Sequence, residues 1–254
     1  MSLKTTYIFS NRSLVWRNED GGAGVLDTID PATNQFVPRE VEKENMQSIA
    51  TEARISRTYT LGKTDATFAA GLRFSYAWFK REEGGEGTTG SDFNLTITGP
   101  YENNLNFTTL NVAPFIENIF RLSKSFTITP GVRFEYLKSK ATGYVTDDNV
   151  KQIADDERER IFPLLGIGME FKPSINGSIY GNISHAYNPI NYSQLQPFGV
   201  TPKIDSHLTE AYGFHSDIGY RPTAKNYLTL DVMLCYLSYY NWIGEVVKQD
   251  PITG

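Results

Sequence analysis

Few side chains in this 254-residue sequence are spaced for chemistry. His185, His207 and His215 stand on separate segments without metal-ligand spacing, so each reads as a structural or solvated ring. No nucleophile is paired with a base in a recognisable arrangement. Cys235 is the single cysteine, which excludes an internal disulfide framework and a cysteine-built metal site. It lies in an alternating apolar segment and reads as a packed thiol. The charged run Asp155 to Arg160 (DDERER) reads as part of a solvated loop rather than a cation site. The stretch Gly84 to Gly90 (GGEGTTG) has neither a Lys nor a following helix, so it is no phosphate loop. Covalent catalysis, a resident metal and a cofactor are therefore not expected, and the chain does not read as an enzyme.

A more informative set of charges lies at every second position of long alternating segments. In Thr64 to Lys80, Phe68, Ala70, Leu72, Phe74, Tyr76 and Trp78 fall on one face, and Thr67, Ala69, Gly71, Arg73, Ser75 and Ala77 on the other. Such period-two alternation predicts a β-strand. The same pattern marks Lys4 to Arg17, Met46 to Leu61, Asn106 to Arg121, Ser125 to Lys138, Ile161 to Phe171, the strand opening at Gly177, its return through Gly213 to Arg221, and Asn226 to Ile243. Nine strands result. Their connections alternate: long and polar at Asn18 to Asn45, Arg81 to Leu105, Ala141 to Arg160 and after Tyr187; short at Gly62-Lys63, Ser123-Lys124, Pro173 to Asn176 and Pro222 to Lys225.

Strands of ten to eighteen residues by this reading are too long for a soluble sandwich, whose strands run about five to six residues. Membrane-crossing strands need about nine to eleven. Short turns on one side and long loops on the other are the signature of a transmembrane β-barrel. The aromatic load, fifteen Tyr and fifteen Phe, fits strands that face lipid and carry aromatic girdles. No apolar run approaches the length of a membrane helix, and no signal peptide follows Met1. A net charge of −5 leaves no electrostatic footprint for nucleic acid. The predicted fold is all-β: an antiparallel meander of about nine long strands forming part of a barrel wall over residues 1–254. Nine strands cannot close in lipid without leaving two edges unpaired, so the chain is expected to be a fragment.

On the faces opposite the apolar residues lie Arg54, Arg73, Arg133, Glu135, Asp217 and Arg221. They read as a lumen-facing network across strands, or as inward arginines that draw an anion, since Arg pairs bidentately with carboxylates. For a ligand mouth, the long-loop side offers Tyr192, Gln194 and Gln196, with Arg81 and Arg160 as cationic partners.

Several segments resemble the barrel of TonB-dependent receptors. Gly177 to Tyr187 (GSIYGNISHAY) is similar to the family's YANYSRGY-type strand, and Asn188 to Leu195 to the loop start that follows it. Leu208-Thr209-Glu210 and Asp217 to Arg221 (DIGYR) resemble its descending L-x-P-E and E-x-G-x-R/K pattern, with Thr209 in place of the usual Pro and Asp217 in place of Glu. Leu228 to Leu237, leading to Asn241-Trp242-Ile243, resembles the strand that ends in N-x-I. Pro130 to Tyr136 (PGVRFEY) resembles its P-G-x-R-x-E/D strand. Gln196 to Asp205 most resembles ferric-dicitrate-type receptors.

The resemblance implies a barrel of about 22 strands around a plug, of which this chain would be a central to later portion, without the plug or the final strands. It implies a Gram-negative outer-membrane location and energy-coupled uptake of a ferric chelate, a siderophore or ferric citrate, with iron arriving as cargo. The implied partners are outer-membrane lipid, the chelate, and the TonB energy-coupling complex acting through an N-terminal region outside this chain. The alternatives are a passive porin-like channel without a plug and a soluble all-β binding module.

Overall fold

In strands, alternating aromatic or β-branched residues and small polar ones place one kind of side chain on each face of a pleated chain. The computed structural model describes residues 1–17, 26–90, 93–147, 150–174, 176–188, 211–224 and 228–242. Twelve β-elements occur among them and no helix. They are β1 (Ser2–Trp16), β2 (Ile29–Asp30), β3 (Gln35–Phe36), β4 (Glu40–Leu61), β5 (Thr64–Glu86) and β6 (Asn103–Arg121), then β7 (Phe126–Asp147), β8 (Val150–Ser174), β9 (Gly177–Asn188), β10 (Ala211–Ala224), β11 (Leu228–Thr229) and β12 (Val232–Tyr240).

One antiparallel sheet runs β1-β4-β5-β6-β7-β8-β9-β10, each strand beside its successor. The ninth long strand is in two pieces: β11 and β12 both pair with β10. The pair β2-β3 forms a separate small hairpin. Among the described residues β1 and β12 each carry one unpaired edge, so the sheet is a meander that does not close. The predicted all-β wall of nine long strands is the observed one.

Register fixes the faces. Leu3, Ala53, Leu72 and Pro114 lie in one cross-strand row, and Lys4, Glu52, Arg73 and Ala113 in the next. The first row belongs to a face carrying Leu72, Phe74, Ile116, Phe134, Leu165 and Ile218, all exposed. The second belongs to the face of small, polar and charged residues. An exposed apolar face this extensive requires lipid or protein cover. On β5 it spans Phe68 to Trp78, on β7 Phe126 to Tyr136 and on β8 Ile161 to Phe171. Each span is about the eleven residues that a tilted membrane strand needs. Aromatic rings mark the edges, as in the tilted Tyr76–Trp78 pair at 5.9 Å. At the turn side Gly62, with φ +62°, closes the tight β4-β5 connection in the left-handed conformation that glycine takes freely.

The strands outrun the lipid band. β4, β5, β7 and β8 contain 22, 23, 22 and 25 residues, roughly twice what lipid requires. Three segments expected to be loops therefore contain strand, one of them over most of its length. The segment Asn18 to Asn45 contains β2, β3 and the start of β4; Arg81 to Leu105 contains the end of β5 and the start of β6. Ala141 to Arg160 is a hairpin paired as far as Asp147 and Val150. Beyond the bilayer an outward face meets water and need not be apolar, so alternation between apolar and polar disappears while pairing continues. DDERER is one case. It lies in β8, with Asp156, Arg158 and Arg160 on the inward rows and Asp155, Glu157 and Glu159 outward.

The inward face holds these extensions together. Leu105, Phe107, Ala141, Val145 and Ala154 form a buried cluster with Phe79 packed against it, and Phe79 and Phe107 stack at 5.8 Å. Cys235 differs from expectation: its thiol is exposed, because it sits on the inward face of β12, opposite Asp217, where no described residue packs over it.

Candidate functional site: the inner wall and its mouth

At the outer end of the inward face a charged ladder crosses three strands. Arg12 on β1 places Nε 2.7 Å from Glu44 Oε2 on β4. Arg81 on β5 donates from Nε to Glu44 Oε1 at 3.0 Å, with Nη2 at 2.9 Å, and its Nε lies 3.2 Å from Glu83 Oε1. Its guanidinium also lies over the Phe79 ring at 5.2 Å. Arg81 is thus anchored by two carboxylates and an aromatic ring. Glu42, half-buried beside this ladder and above the lipid band, has its pKa pushed up to about 7. Burial is the main cause; Glu83, Glu40 and Glu44 add repulsion against partial relief from Arg12.

Two further arginines fasten the loops at the mouth. Arg39, fully buried, donates to Thr88 O at 2.9 Å, Thr88 Oγ1 at 2.6 Å and Asn94 O at 2.7 Å. Arg17 pairs with Asp27 at 3.2 Å, donates to the carbonyls of Thr89 and Gly90, and lies over Phe36 at 4.4 Å. The segment after β5 is therefore bound to the segment between β1 and β4 through backbone oxygens, for which the forked guanidinium is well shaped.

Within the lipid-crossing part, the predicted inward charges form separate local groups. Arg54 lies 3.5 Å from Glu52 and 3.8 Å from Glu117, with its guanidinium 5.0 Å from the Phe115 ring centre. Glu135, 1% exposed, is 2.5 Å from Arg133 Nε, an ion pair without hydrogen-bond alignment, and accepts from Asn111 Nδ2 at 2.5 Å. Asp217 accepts from Asn182 at 3.3 Å. Arg221 donates to Asp231 from Nε at 3.0 Å and Nη2 at 2.7 Å, and Tyr180 donates to the same carboxylate at 2.5 Å. Arg73 makes no polar contact among the described residues.

Of the ligand-mouth candidates, Arg160 lies on an inward row of β8 with Nη1 bonded to Glu159 O at 3.1 Å. Arg160 and Arg81 are not brought together with each other. Tyr192, Gln194 and Gln196 lie outside the described residues, as does His207. His185 faces outward, edge-on to Phe214 at 5.4 Å, while His215 faces inward. No group of three or more His, Cys, Asp or Glu among the described residues could hold a metal.

Sequence reading missed Glu44 and Glu83 as partners of Arg81, and Arg12 and Glu42 beside them. The period-two run Glu40, Glu42, Glu44 was a usable signal, since it continues β4 upward from Met46 on one face. Asn111, which completes the Glu135 pair, carried none.

The architecture has known counterparts. The family model described as "TonB dependent receptor-like, beta-barrel" matches residues 2–254. The ferric citrate transporter FecA in its unliganded form is similar at 17% identity and TM-score 0.64, over 79% of this chain and 28% of that one. The siderophore receptor PiuA from Acinetobacter baumannii is similar at 14% identity and TM-score 0.64, over 92% and 36%. The ferric-catecholate import receptor Fiu from E. coli K12 in its closed form is similar at 13% identity and TM-score 0.64, over 92% and 37%. The chain thus spans roughly a third of the length of these structures. A comparison with curated proteins finds no match. Matched over nearly its whole length and folded as a meander with one exposed apolar face and one that bears its charged side chains, the chain belongs to the TonB-dependent receptors, as a wall of their β-barrel in the Gram-negative outer membrane.

Proposed function

We propose that this wall belongs to a receptor for energy-coupled uptake of a ferric chelate, a siderophore or ferric citrate. The observation that carries the reading is the inner face. It carries charged side chains through the lipid-crossing part, among them Arg54, Arg73, Glu117 and Arg133, and at the outer mouth Arg12, Glu44, Arg81 and Glu83 form a fixed charged ladder beside loops fastened by Arg17 and Arg39. Such a surface suits a hydrated, multiply charged ligand entering from outside. The similar structures, a ferric citrate transporter, a siderophore receptor and a ferric-catecholate import receptor, support that cargo class. The proposed steps are binding in the outer vestibule and passage driven by the TonB complex, which would engage the receptor outside these 254 residues. Iron is cargo in this scheme, held by its chelator, and no bond is made or broken by the wall.

The test is uptake of radioactive iron by cells expressing the intact receptor, supplied as ferric citrate or as a ferric siderophore, before and after the proton gradient is collapsed. The proposal predicts saturable uptake of at least one chelate that stops with the gradient. Uptake that persists without the gradient and rises linearly with concentration would instead establish a passive channel.

A further inference from the structure

We propose that Arg73 is an anion-binding residue of the lumen, taking a carboxylate presented from inside the barrel. Arg73 lies on the inward face of β5, with Glu52 opposite it on β4 and Ala113 opposite it on β6. Both flanking strands are present, so every wall residue able to reach it from the side is described. Its charge is not met by them. Glu52 is 3.5 Å from Arg54, and Glu117, lower on the wall, is 3.8 Å from that same arginine. Glu135 is buried against Arg133 and Asn111. The Phe115 ring lies over Gly71, where an added Cβ would collide with it, and so fills the space immediately below Arg73. Above it on β5 are Ser75 and Ala77, opposite Ala50 and Ser48 on β4. These side chains are short and leave the path from the mouth open.

The other inward arginines have partners. Arg12, Arg54, Arg81, Arg133, Arg158 and Arg221 each lie against a carboxylate, while Arg121 donates to the Thr67 hydroxyl and Arg160 to the Glu159 carbonyl. Arg73 is exposed on the inward face at the level of Leu72 and Phe74, the middle of the lipid band. A guanidinium that cargo or a lumen-filling domain covers favours a paired and hydrogen-bonded anion over an unpaired state. Its planar fork matches a carboxylate bidentately. Two sources share that chemistry: a carboxyl group on the cargo, or one on the receptor's own lumen-filling domain. The first rests on the uptake reading above; the second does not.

The experiment uses the intact receptor carrying Arg73→Gln, Arg73→Lys or Glu52→Gln, with folding checked by heat-modifiable migration on gels. The probes are ferric citrate, which is rich in carboxylates, and a neutral ferric hydroxamate. If the partner is on the cargo, R73Q weakens binding of ferric citrate roughly 10- to 100-fold, spares the hydroxamate, and is partly rescued by R73K. If it is on the lumen-filling domain, R73Q leaves chelate binding intact and raises leakage of bulky antibiotics into cells, again with rescue by R73K. The proposal is overturned if R73Q changes neither binding nor leakage, or if E52Q reproduces its effect in full, since the partner would then be in the wall. If the wild-type receptor binds neither chelate, leakage alone decides the role of Arg73, and the uptake reading is judged by the iron-uptake test above.

Discussion

Replacing Phe107 by Ala should loosen the outer hairpins without disturbing the wall in lipid. Phe107 is fully buried among Leu105, Ala141, Val145 and Ala154 and stacks on Phe79. It lies above the lipid band, so its burial is against water, and the cost of truncation follows the scale for soluble cores. A fully buried Phe→Ala change costs about 3–5 kcal/mol, of which about 0.5–1.5 kcal/mol is the ring pair. At the lower end this is roughly a 100-fold change in the local opening equilibrium. Amide hydrogen exchange of the intact protein in lipid reads it directly. Ala141, Gly143 and Val145 on β7 and Ala154 on β8 should exchange about 100-fold faster. Leu165 to Phe171 on β8, within the lipid band, should keep their protection. The reasoning is refuted if exchange accelerates less than about threefold in the hairpin, or equally in both regions, because either result denies the cluster a local role.

Two further perturbations probe other layers. Leu72→Arg places a charge at the centre of the outward face and should destabilise the folded barrel by about 2–4 kcal/mol, lowering the heat-modifiable folded fraction, whereas Ser75→Arg on the inward face should be tolerated. A carboxyl held near 7 in the folded state and about 4.3 unfolded binds more protons folded, so Glu42 favours the folded mouth fully below pH ~4.3. That contribution declines as pH rises and is gone once pH passes about 7. Exchange of the β4 amides near Glu42 should therefore quicken from pH 5 to 8 after correction for intrinsic rates, and Glu42→Gln should flatten the dependence.

Legibility in the sequence followed the lipid. Where the outward face is in the bilayer, from Phe68 to Trp78 or Ile161 to Phe171, alternation marks strand, face and approximate ends, and the short turns agree with it. Above the bilayer both faces meet water or protein, and Lys140, Thr142 and Tyr144 outward against Ala141, Gly143 and Val145 inward look like loop composition although they are paired throughout. The inward charges were identifiable as a face, but their grouping was not. Which carboxylate meets Arg54 or Arg81 depends on register and on neighbours one row away, such as Glu117 and Glu44, which strand periodicity alone does not specify. Cys235 misled because its neighbours in sequence are apolar, whereas the thiol is exposed on the inward side of the strand, with no packing partner there among the described residues.

The central claim is that one face of this sheet meets lipid and the other an aqueous lumen. Spin labels placed one at a time from Thr67 to Ala77 on β5, in the intact protein with Cys235→Ser and in a bilayer, test it most directly. Collision with oxygen, which concentrates in lipid, should peak at positions 68, 70, 72, 74 and 76. Collision with a water-soluble nickel chelate should peak at 69, 71, 73, 75 and 77. The two profiles should alternate in opposite phase along the strand. Profiles that rise and fall together, or an outward face that meets the nickel chelate as readily as the inward one, would contradict the account.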